Sequence, residues 1–182
     1  MLLTREEQID TLHAAATSAG VDIAKEEIHW EDGFLEVDGL KLHYLDWGGA
    51  GKTPLLLLHG GLQTAHSWDL TAVVLKRDFH IVALDLRGHG DSDWAPQYSF
   101  ADHANDLAAL VEHLGWDRLV LIGLSLGGLA SMSYAAEHHG KLKALVFVDV
   151  GPELAPEGRE HIGTFIRSVF EVGSLDEFVD KV

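Results

Sequence analysis

One five-residue segment, Gly123-Leu124-Ser125-Leu126-Gly127, restricts the possible folds more than any other part of the chain. It follows a short apolar run at residues 119–122 and precedes a segment of helical length. A serine between two glycines at such a point is typical of a sharp strand-to-helix turn that exposes the serine hydroxyl. Glycine suits this turn because a Cβ atom at either flanking position would crowd the backbone. The pattern therefore predicts a nucleophile, Ser125, directly after a buried strand.

Continuous apolar runs alternate with segments of helical length along most of the chain. The runs are typical of strands covered on both faces, and they lie at residues 54–59, 79–84, 119–123 and 142–148. Helices are predicted between them at residues 64–76, 99–114 and 126–139. An alternating stretch broken by Asp38-Gly39 predicts a hairpin before the first run. The predicted fold class is therefore α/β, with a mostly parallel sheet of about six strands flanked by helices.

The two ends of the chain depart from this pattern. Thr4-Arg5-Glu6-Glu7 is a capping-box sequence, so residues 1–29 are interpreted as an N-terminal helical extension. Residues 30–150 hold the predicted sheet, and residues 151–182 are interpreted as the start of a helical lid with a helix at 161–171. A second capping-box sequence follows, and the chain ends within about two turns of it. Because a helix that short is marginal, we expect the chain to be C-terminally truncated.

Composition limits the class of protein and of partner. The formal net charge of −16 predicts that neither nucleic acid nor an anionic membrane is a partner, because both would be repelled. Because the sequence contains no cysteine, we expect no disulfide framework and no metal site with thiolate ligands. The sequence has no apolar signal-peptide core and no run of the roughly 18 apolar residues that span a membrane. We therefore expect a cytoplasmic protein without a metal or other cofactor.

Two further motifs precede the serine segment. They are His59-Gly60-Gly61, with Trp68 downstream, and Asp85-Leu86-Arg87-Gly88-His89-Gly90-Asp91-Ser92. With these motifs the chain resembles the N-terminal two thirds of an α/β-hydrolase-fold serine hydrolase of the small esterase, lactonase and carbon–carbon hydrolase type. The resemblance covers about residues 30–150, and the three motifs stand in the family's order, after its third, fourth and fifth strands.

The resemblance implies a role for each motif. In this family the backbone N–H after the nucleophile, here that of Leu126, and a second N–H, here that of Gly61, form the oxyanion hole; Leu62 is a possible substitute for Gly61. Loss of one such donor raises the reaction barrier by about 3–4 kcal/mol. His59 is expected to orient the loop rather than act as a base. Structural roles are also expected for Trp68, with substrate contact as the alternative, and for Arg87, His89 and Asp91.

The remaining catalytic groups are expected outside this sequence. In the family an acid after the seventh strand and a histidine after the eighth complete the triad, and only six strands are predicted here. We therefore expect both residues to be lost with a C-terminal part beyond Val182. Asp149 ends the sixth strand, where some family members place the acid, but a loop anchor is the preferred interpretation. His161, in the predicted lid, is a weak candidate for the base.

The predicted function is hydrolysis of carboxylic esters or related small acyl compounds through an acyl-enzyme at Ser125. Epoxide hydrolases and haloalkane dehalogenases of this fold carry aspartate at that position, so the serine disfavours both chemistries. Two alternatives stay open: a non-catalytic ligand-binding protein that reuses the pocket, and an inactive fragment. Substrate-binding residues are not identified. A truncated sheet would also leave the strand at 142–148 uncovered, which predicts self-association through that edge.

Overall fold

The computed structural model describes residues 3–24 and 26–151, together with Glu160 and Thr164. The chain divides into two compact units, Met1–Val150 and Gly151–Val182. The helix predicted at 161–171 lies outside the described residues except for Thr164, and His161 lies outside them as well. None of the described helices is long and apolar enough to cross a membrane.

Within the described residues, six strands form a single sheet. They are β1 (Glu31–Val37), β2 (Leu40–Asp46), β3 (Thr53–Leu58), β4 (Phe79–Leu84), β5 (Leu119–Leu124) and β6 (Leu142–Val148). Their order across the sheet is β1-β2-β4-β3-β5-β6. The hairpin strands β1 and β2 pair antiparallel, as do β2 and β4, whereas the pairs β3–β4, β3–β5 and β5–β6 are parallel. This confirms the predicted α/β class with a mostly parallel six-stranded sheet.

Four α-helices flank the sheet in the described part of the chain. They are α1 (Arg5–Ser18), α2 (Asp69–Leu75), α3 (Phe100–His113) and α4 (Leu126–His138). The capping box predicted for α1 forms, because the Thr4 side chain accepts the N–H of Glu7 and the Glu7 carboxylate accepts the N–H of Thr4. The prediction of one continuous helix at 64–76 is wrong for its first residues, because a 3₁₀ turn at Ala65–Trp68 precedes α2.

The core consists of two apolar clusters, one on each face of the sheet. Alternate residues of β3 belong to different clusters: Leu56 and Leu58 to one, Leu55 and Leu57 to the other. This explains the unbroken apolar run, because successive side chains of a strand point to opposite faces and both faces are covered here. Residues of α3 and α4 complete the first cluster, and residues of α1 and α2 complete the second. The predicted N-terminal extension thus contributes directly to the core.

Strand β6 forms one of the two edges of the sheet, opposite β1. Three apolar side chains near its end are substantially exposed: Val146 at 42%, Phe147 at 40% and Val148 at 38%. No strand in the described part of the chain pairs with the outer side of β6. An apolar edge of this kind is a template for pairing with another chain.

A buried ion pair joins the loop after β4 to helix α3. The Arg87 guanidinium donates through Nε to Oδ2 of Asp106 and through Nη2 to Oδ1, both at 2.7 Å, and Arg87 Nη1 also donates to the Gln97 carbonyl oxygen at 3.1 Å. Arg87 and Asp106 are 5% and 1% exposed. Burial raises the pKa of Asp106, although the Arg87 charge opposes this. Removing one partner would therefore leave a buried charge without compensation.

We expect Asp106→Ala to lower the free energy of unfolding by about 3–5 kcal/mol, because Arg87 would stay buried and unpaired. Urea denaturation checks this value. The control is Glu112→Ala, which alters an exposed carboxylate on the same helix and should change the free energy by less than about 0.5 kcal/mol. Equal changes in the free energy of unfolding for the two substitutions would show that the buried ion pair does not stabilise the protein.

Candidate active site

Ser125 occupies a strained turn between β5 and α4. Its backbone angles are φ 47° and ψ −108°, a left-handed φ that costs a residue with a side chain about 1–3 kcal/mol. The Ser125 N–H donates to the Val148 carbonyl oxygen at 2.9 Å, and the Ser125 carbonyl oxygen accepts the N–H of Leu129 at 3.1 Å. The strain is thus held by hydrogen bonds on both sides, and the residue is only partly buried. Strain maintained in this way is typical of functional sites.

The glycines of the segment are required by close backbone contacts. A Cβ atom on Gly127 would lie 2.5 Å from the Leu58 carbonyl oxygen and 2.7 Å from that of His59. A Cβ atom on Gly123 would lie 2.5 Å from the Ser131 hydroxyl. Distances this short force the surroundings to move, and a backbone carbonyl in a sheet moves at high cost. The predicted sharp strand-to-helix turn is therefore present, with glycine needed at both positions.

The loop after β3 lies beside this turn. The N–H of Gly127 donates to the His59 carbonyl oxygen at 3.1 Å. Beyond His59 the chain reverses in a four-residue turn in which the Gln63 N–H donates to the Gly60 carbonyl oxygen at 3.3 Å. The Gln63 side chain closes the same turn, because its Oε1 accepts the N–H of Gly60 at 2.9 Å. Leu62, the third residue of the turn, has a φ of 63°.

Three backbone N–H groups at this place make no hydrogen bond to any described residue: those of Gly61, Leu62 and Leu126. A Cβ atom on Gly61 would have no neighbour within 4 Å, so no close backbone contact requires glycine there. Gly60 is the more confined residue, because its Cβ atom would lie 3.0 Å from Gln63 Oε1. The N–H of Leu126 also opens helix α4, where the helix dipole favours negative charge.

His59 connects the loops that follow β3 and β4. Its Nδ1–H donates to the Gly60 carbonyl oxygen at 2.7 Å, and its Nε2 accepts the N–H of Leu86 at 3.0 Å. Both ring nitrogens are therefore engaged in a neutral imidazole. The ring is completely buried, and burial lowers the pKa of His59. This geometry leaves His59 no free nitrogen with which to accept a proton from Ser125.

Asp85 anchors both loops through its buried carboxylate. Its Oδ1 accepts the N–H of Ala65 at 2.6 Å, and its Oδ2 accepts the N–H of Asp91 at 3.0 Å and lies 2.7 Å from His43 Nδ1. Burial would raise the pKa of Asp85, but the hydrogen bonds from His43 and the two amides outweigh it and lower the pKa. For His43, burial is outweighed by the hydrogen bonds to Asp85 and Asp32, so its pKa is raised.

Sequence reasoning missed His43. It lies in the hairpin strand β2, 2% exposed, between the buried residues Leu42 and Tyr44. A titratable residue within an apolar stretch of a strand could have marked it as part of a buried polar network, since such groups need partners.

The other predicted motif residues lie around this network. Trp68 is 9% exposed and belongs to the apolar cluster beneath α2, which favours packing over substrate contact. His89 donates through Nδ1 to the Arg87 carbonyl oxygen at 3.1 Å, and its ring centre is 5.0 Å from that of His59. No group of three metal-ligating side chains exists among the residues that the structure describes.

Asp149 is a second strained residue beside Ser125. It is exposed, has a φ of 55°, and directly follows Val148, whose carbonyl oxygen accepts the Ser125 N–H. Leu124 and Val148 are paired in the parallel strands β5 and β6, so Ser125 and Asp149 leave the sheet side by side. The structure therefore brings Asp149 to the same edge as the serine.

Comparison with known proteins places this arrangement in context. Residues 53–178 match a family model described as alpha/beta hydrolase fold. A soluble epoxide hydrolase of a Corynebacterium species is 35% identical over 124 residues, covering 67% of this chain and 42% of the relative. An esterase of Mycobacterium tuberculosis is 33% identical over 152 residues, covering 82% of this chain and 48% of the relative.

A solved structure resembles the chain as well. The crystal structure of an alpha/beta hydrolase from Novosphingobium aromaticivorans superimposes with a TM-score of 0.71 and 36% identity over 77% of this chain and 51% of that protein. The chain spans about half the length of the relatives it matches.

We expect Gly127→Ala to destabilise the protein by about 1–3 kcal/mol or more, because the added methyl group would overlap backbone oxygen atoms of Leu58 and His59. The control is Gly140→Ala, where a Cβ atom has no neighbour within 4 Å and where we expect less than about 0.5 kcal/mol. Denaturant midpoints of both variants check the comparison. Equal stability of the two variants would contradict the close approach at the turn.

Proposed function

Because the chain belongs to the alpha/beta hydrolase fold family, we propose that it is a serine hydrolase of carboxylic esters or related small acyl compounds. The observation that carries this proposal is the strained Ser125 turn beside the amides of Leu126 and Gly61, which have no hydrogen-bond partner among the described residues. In the proposed reaction the Ser125 hydroxyl attacks the acyl carbonyl carbon, loses its proton to a base and forms an acyl-enzyme as the alcohol departs. Water then attacks the acyl carbon and releases the carboxylic acid.

The proposed oxyanion hole consists of the N–H groups of Leu126 and Gly61. Attack on the carbonyl places negative charge on its oxygen, and donors that already point at that oxygen need no rearrangement during the reaction. Neither amide has a hydrogen-bond partner among the described residues, so both are available. The hydrogen bond from Gly127 to His59 supports the assignment because it holds the two loops together.

The serine favours acyl substrates over epoxides. The Corynebacterium relative is named a soluble epoxide hydrolase, but members of this fold that open epoxides use a carboxylate that forms an alkyl-enzyme ester. Ser125 has no carboxylate, whereas a hydroxyl is suited to form an acyl-enzyme. The relative named an esterase, which covers more of this chain, supports the same choice.

The base and acid of the reaction are proposed to lie beyond Val182, in a longer protein. No histidine in the described part of the chain is hydrogen-bonded to Ser125, and without a base a serine hydroxyl is a weak nucleophile. This observation also keeps the alternative of a non-catalytic binding protein open. Asp149 leaves the sheet beside Ser125 and is the alternative position for the acid, although a loop anchor stays the preferred interpretation.

The partners follow from the same proposal. A small acyl compound is the proposed substrate, and a second copy of the chain, paired along the exposed edge of β6, is the proposed protein partner. The cytoplasmic location and the exclusion of nucleic acid and membrane partners stay predictions from composition.

A fluorophosphonate probe tests the proposed nucleophile. We expect the wild-type protein to be labelled slowly, because the proposed oxyanion hole assists attack on phosphorus even without the histidine base, and Ser125→Ala to abolish labelling. The control is Ser18→Ala, which removes an exposed hydroxyl from α1 and should leave labelling unchanged. Intact-mass spectrometry measures the adduct. Labelling that survives in Ser125→Ala would refute Ser125 as the nucleophile, and folded wild-type protein that stays unlabelled after long incubation would favour the non-catalytic binding protein instead.

Size-exclusion chromatography at several concentrations tests the proposed edge pairing. We expect the wild-type chain to elute as oligomers that increase with concentration, because β6 is apolar and no described strand pairs with its outer side. Phe147→Lys should shift the distribution toward the monomer, whereas Val74→Lys, at an exposed apolar position on α2, should not. A wild-type protein that is monomeric at every concentration would exclude this pairing.

A further inference from the structure

Leu62, in the loop beside the serine, combines a strained backbone conformation with an exposed apolar side chain. Its φ of 63° lies in the left-handed region, and its side chain is 55% exposed. It holds the third position of the turn that runs from Gly60 to Gln63, where a left-handed φ is normally supplied by glycine or asparagine. Leucine has neither the freedom of glycine nor a polar group that could bond locally.

Leu62 can be compared with the other described residues that have a positive φ and are not glycine. In the described residues, four positions other than glycine have a positive φ: Asp38, Leu62, Ser125 and Asp149. Asp38 belongs to the hairpin turn between β1 and β2, where aspartate is a common residue. The other three follow β3, β5 and β6, which are consecutive neighbours in the sheet. Strained residues cluster at functional sites, and this cluster surrounds the nucleophile.

The position of Leu62 suggests what its side chain does. Consecutive Cα atoms are about 3.8 Å apart, so Leu62 stands directly beside the Gly61 amide that is proposed to hold the carbonyl oxygen. Leu62 is thus one residue away from the amide proposed to hold the carbonyl oxygen, and its exposed side chain is available to a substituent on the carbonyl carbon. Contact with an aliphatic group would remove apolar surface from water, and each buried methylene strengthens binding about fourfold.

From these observations we infer that Leu62 is a specificity-determining residue that contacts the aliphatic acyl chain of the substrate. The inference rests on the proposed function, and it narrows the substrate class to esters of aliphatic acids. The Gln63 side chain supports the arrangement because its bond to the Gly60 N–H holds the turn closed. Leu62 is thereby presented to solvent at the edge of the sheet that carries Ser125.

The test measures how fast two alkylphosphonofluoridates label Ser125 in the 182-residue chain. One probe carries an ethyl group on phosphorus and the other an octyl group, so that the alkyl chain takes the place of the acyl chain. We expect wild-type protein to react faster with the octyl probe. Leu62→Gly should reduce the octyl-to-ethyl rate ratio by at least about fourfold, the loss of one methylene contact.

Two further variants separate contact from folding. Leu62→Asn tolerates the left-handed φ but is polar, so it should lower the ratio as Leu62→Gly does. Asp38→Gly also relieves a positive φ, but in the hairpin far along the sheet, and should leave the ratio unchanged. Leu62→Gly should in addition keep or raise the thermal midpoint, because glycine adopts this φ without strain.

The outcomes distinguish the inference from the proposed function. A ratio that is unchanged in both Leu62 variants, while Ser125 is still labelled, would overturn the role of Leu62 alone. A lower thermal midpoint in Leu62→Gly would overturn it too, by showing that the leucine is held for packing. Failure of both probes to label Ser125 in folded wild-type protein would overturn the proposed function, and the role of Leu62 with it.

Discussion

The site depends on the parallel pairing of three neighbouring strands, β3, β5 and β6. Parallel strands end at the same edge of a sheet, so the loops that follow them meet there. Two backbone hydrogen bonds hold these loops together. The Ser125 N–H donates to the Val148 carbonyl oxygen, and the Gly127 N–H donates to the His59 carbonyl oxygen. The first joins the turn to β6 and the second joins it to the loop after β3. Without these bonds, neither the strained serine nor the backbone amides of Gly61 and Leu126 would have a fixed position.

Buried polar groups hold the loops from behind. Asp85 accepts amide hydrogens from two loops at once, and the Nδ1 atom of His43, in the hairpin, lies 2.7 Å from the same carboxylate. His59 connects the same loops through both ring nitrogens. A buried polar network destabilises a protein if some of its groups lack hydrogen bonds, and it makes the structure rigid if all of its groups are hydrogen-bonded. The rigidity matters for the proposed oxyanion hole, because preorganised donors stabilise a developing oxyanion without rearrangement.

Much of the fold could be predicted from the sequence because local signals determine it. The apolar runs marked the parallel strands, and the capping box at Thr4 marked the start of α1, since both patterns act over a few residues. The segment around Ser125 indicated its turn because glycine was the only residue that fits there. The 3₁₀ turn at Ala65–Trp68 was missed because the helical spacing of apolar residues does not distinguish it from α-helix. The His43 network and the strain at Leu62 depend on contacts between distant segments, which no local pattern reveals.

The central claim is that the Ser125 turn presents a hydroxyl to two backbone amides that hold negative charge. A crystal structure of the protein carrying a phosphonyl group on Ser125 tests this most directly, because the phosphonyl oxygen occupies the place of the oxyanion. The account predicts that this oxygen accepts the N–H groups of Leu126 and Gly61, each at about 2.7–3.1 Å. A phosphonyl oxygen that faces solvent, with those two amides bonded elsewhere, would contradict it.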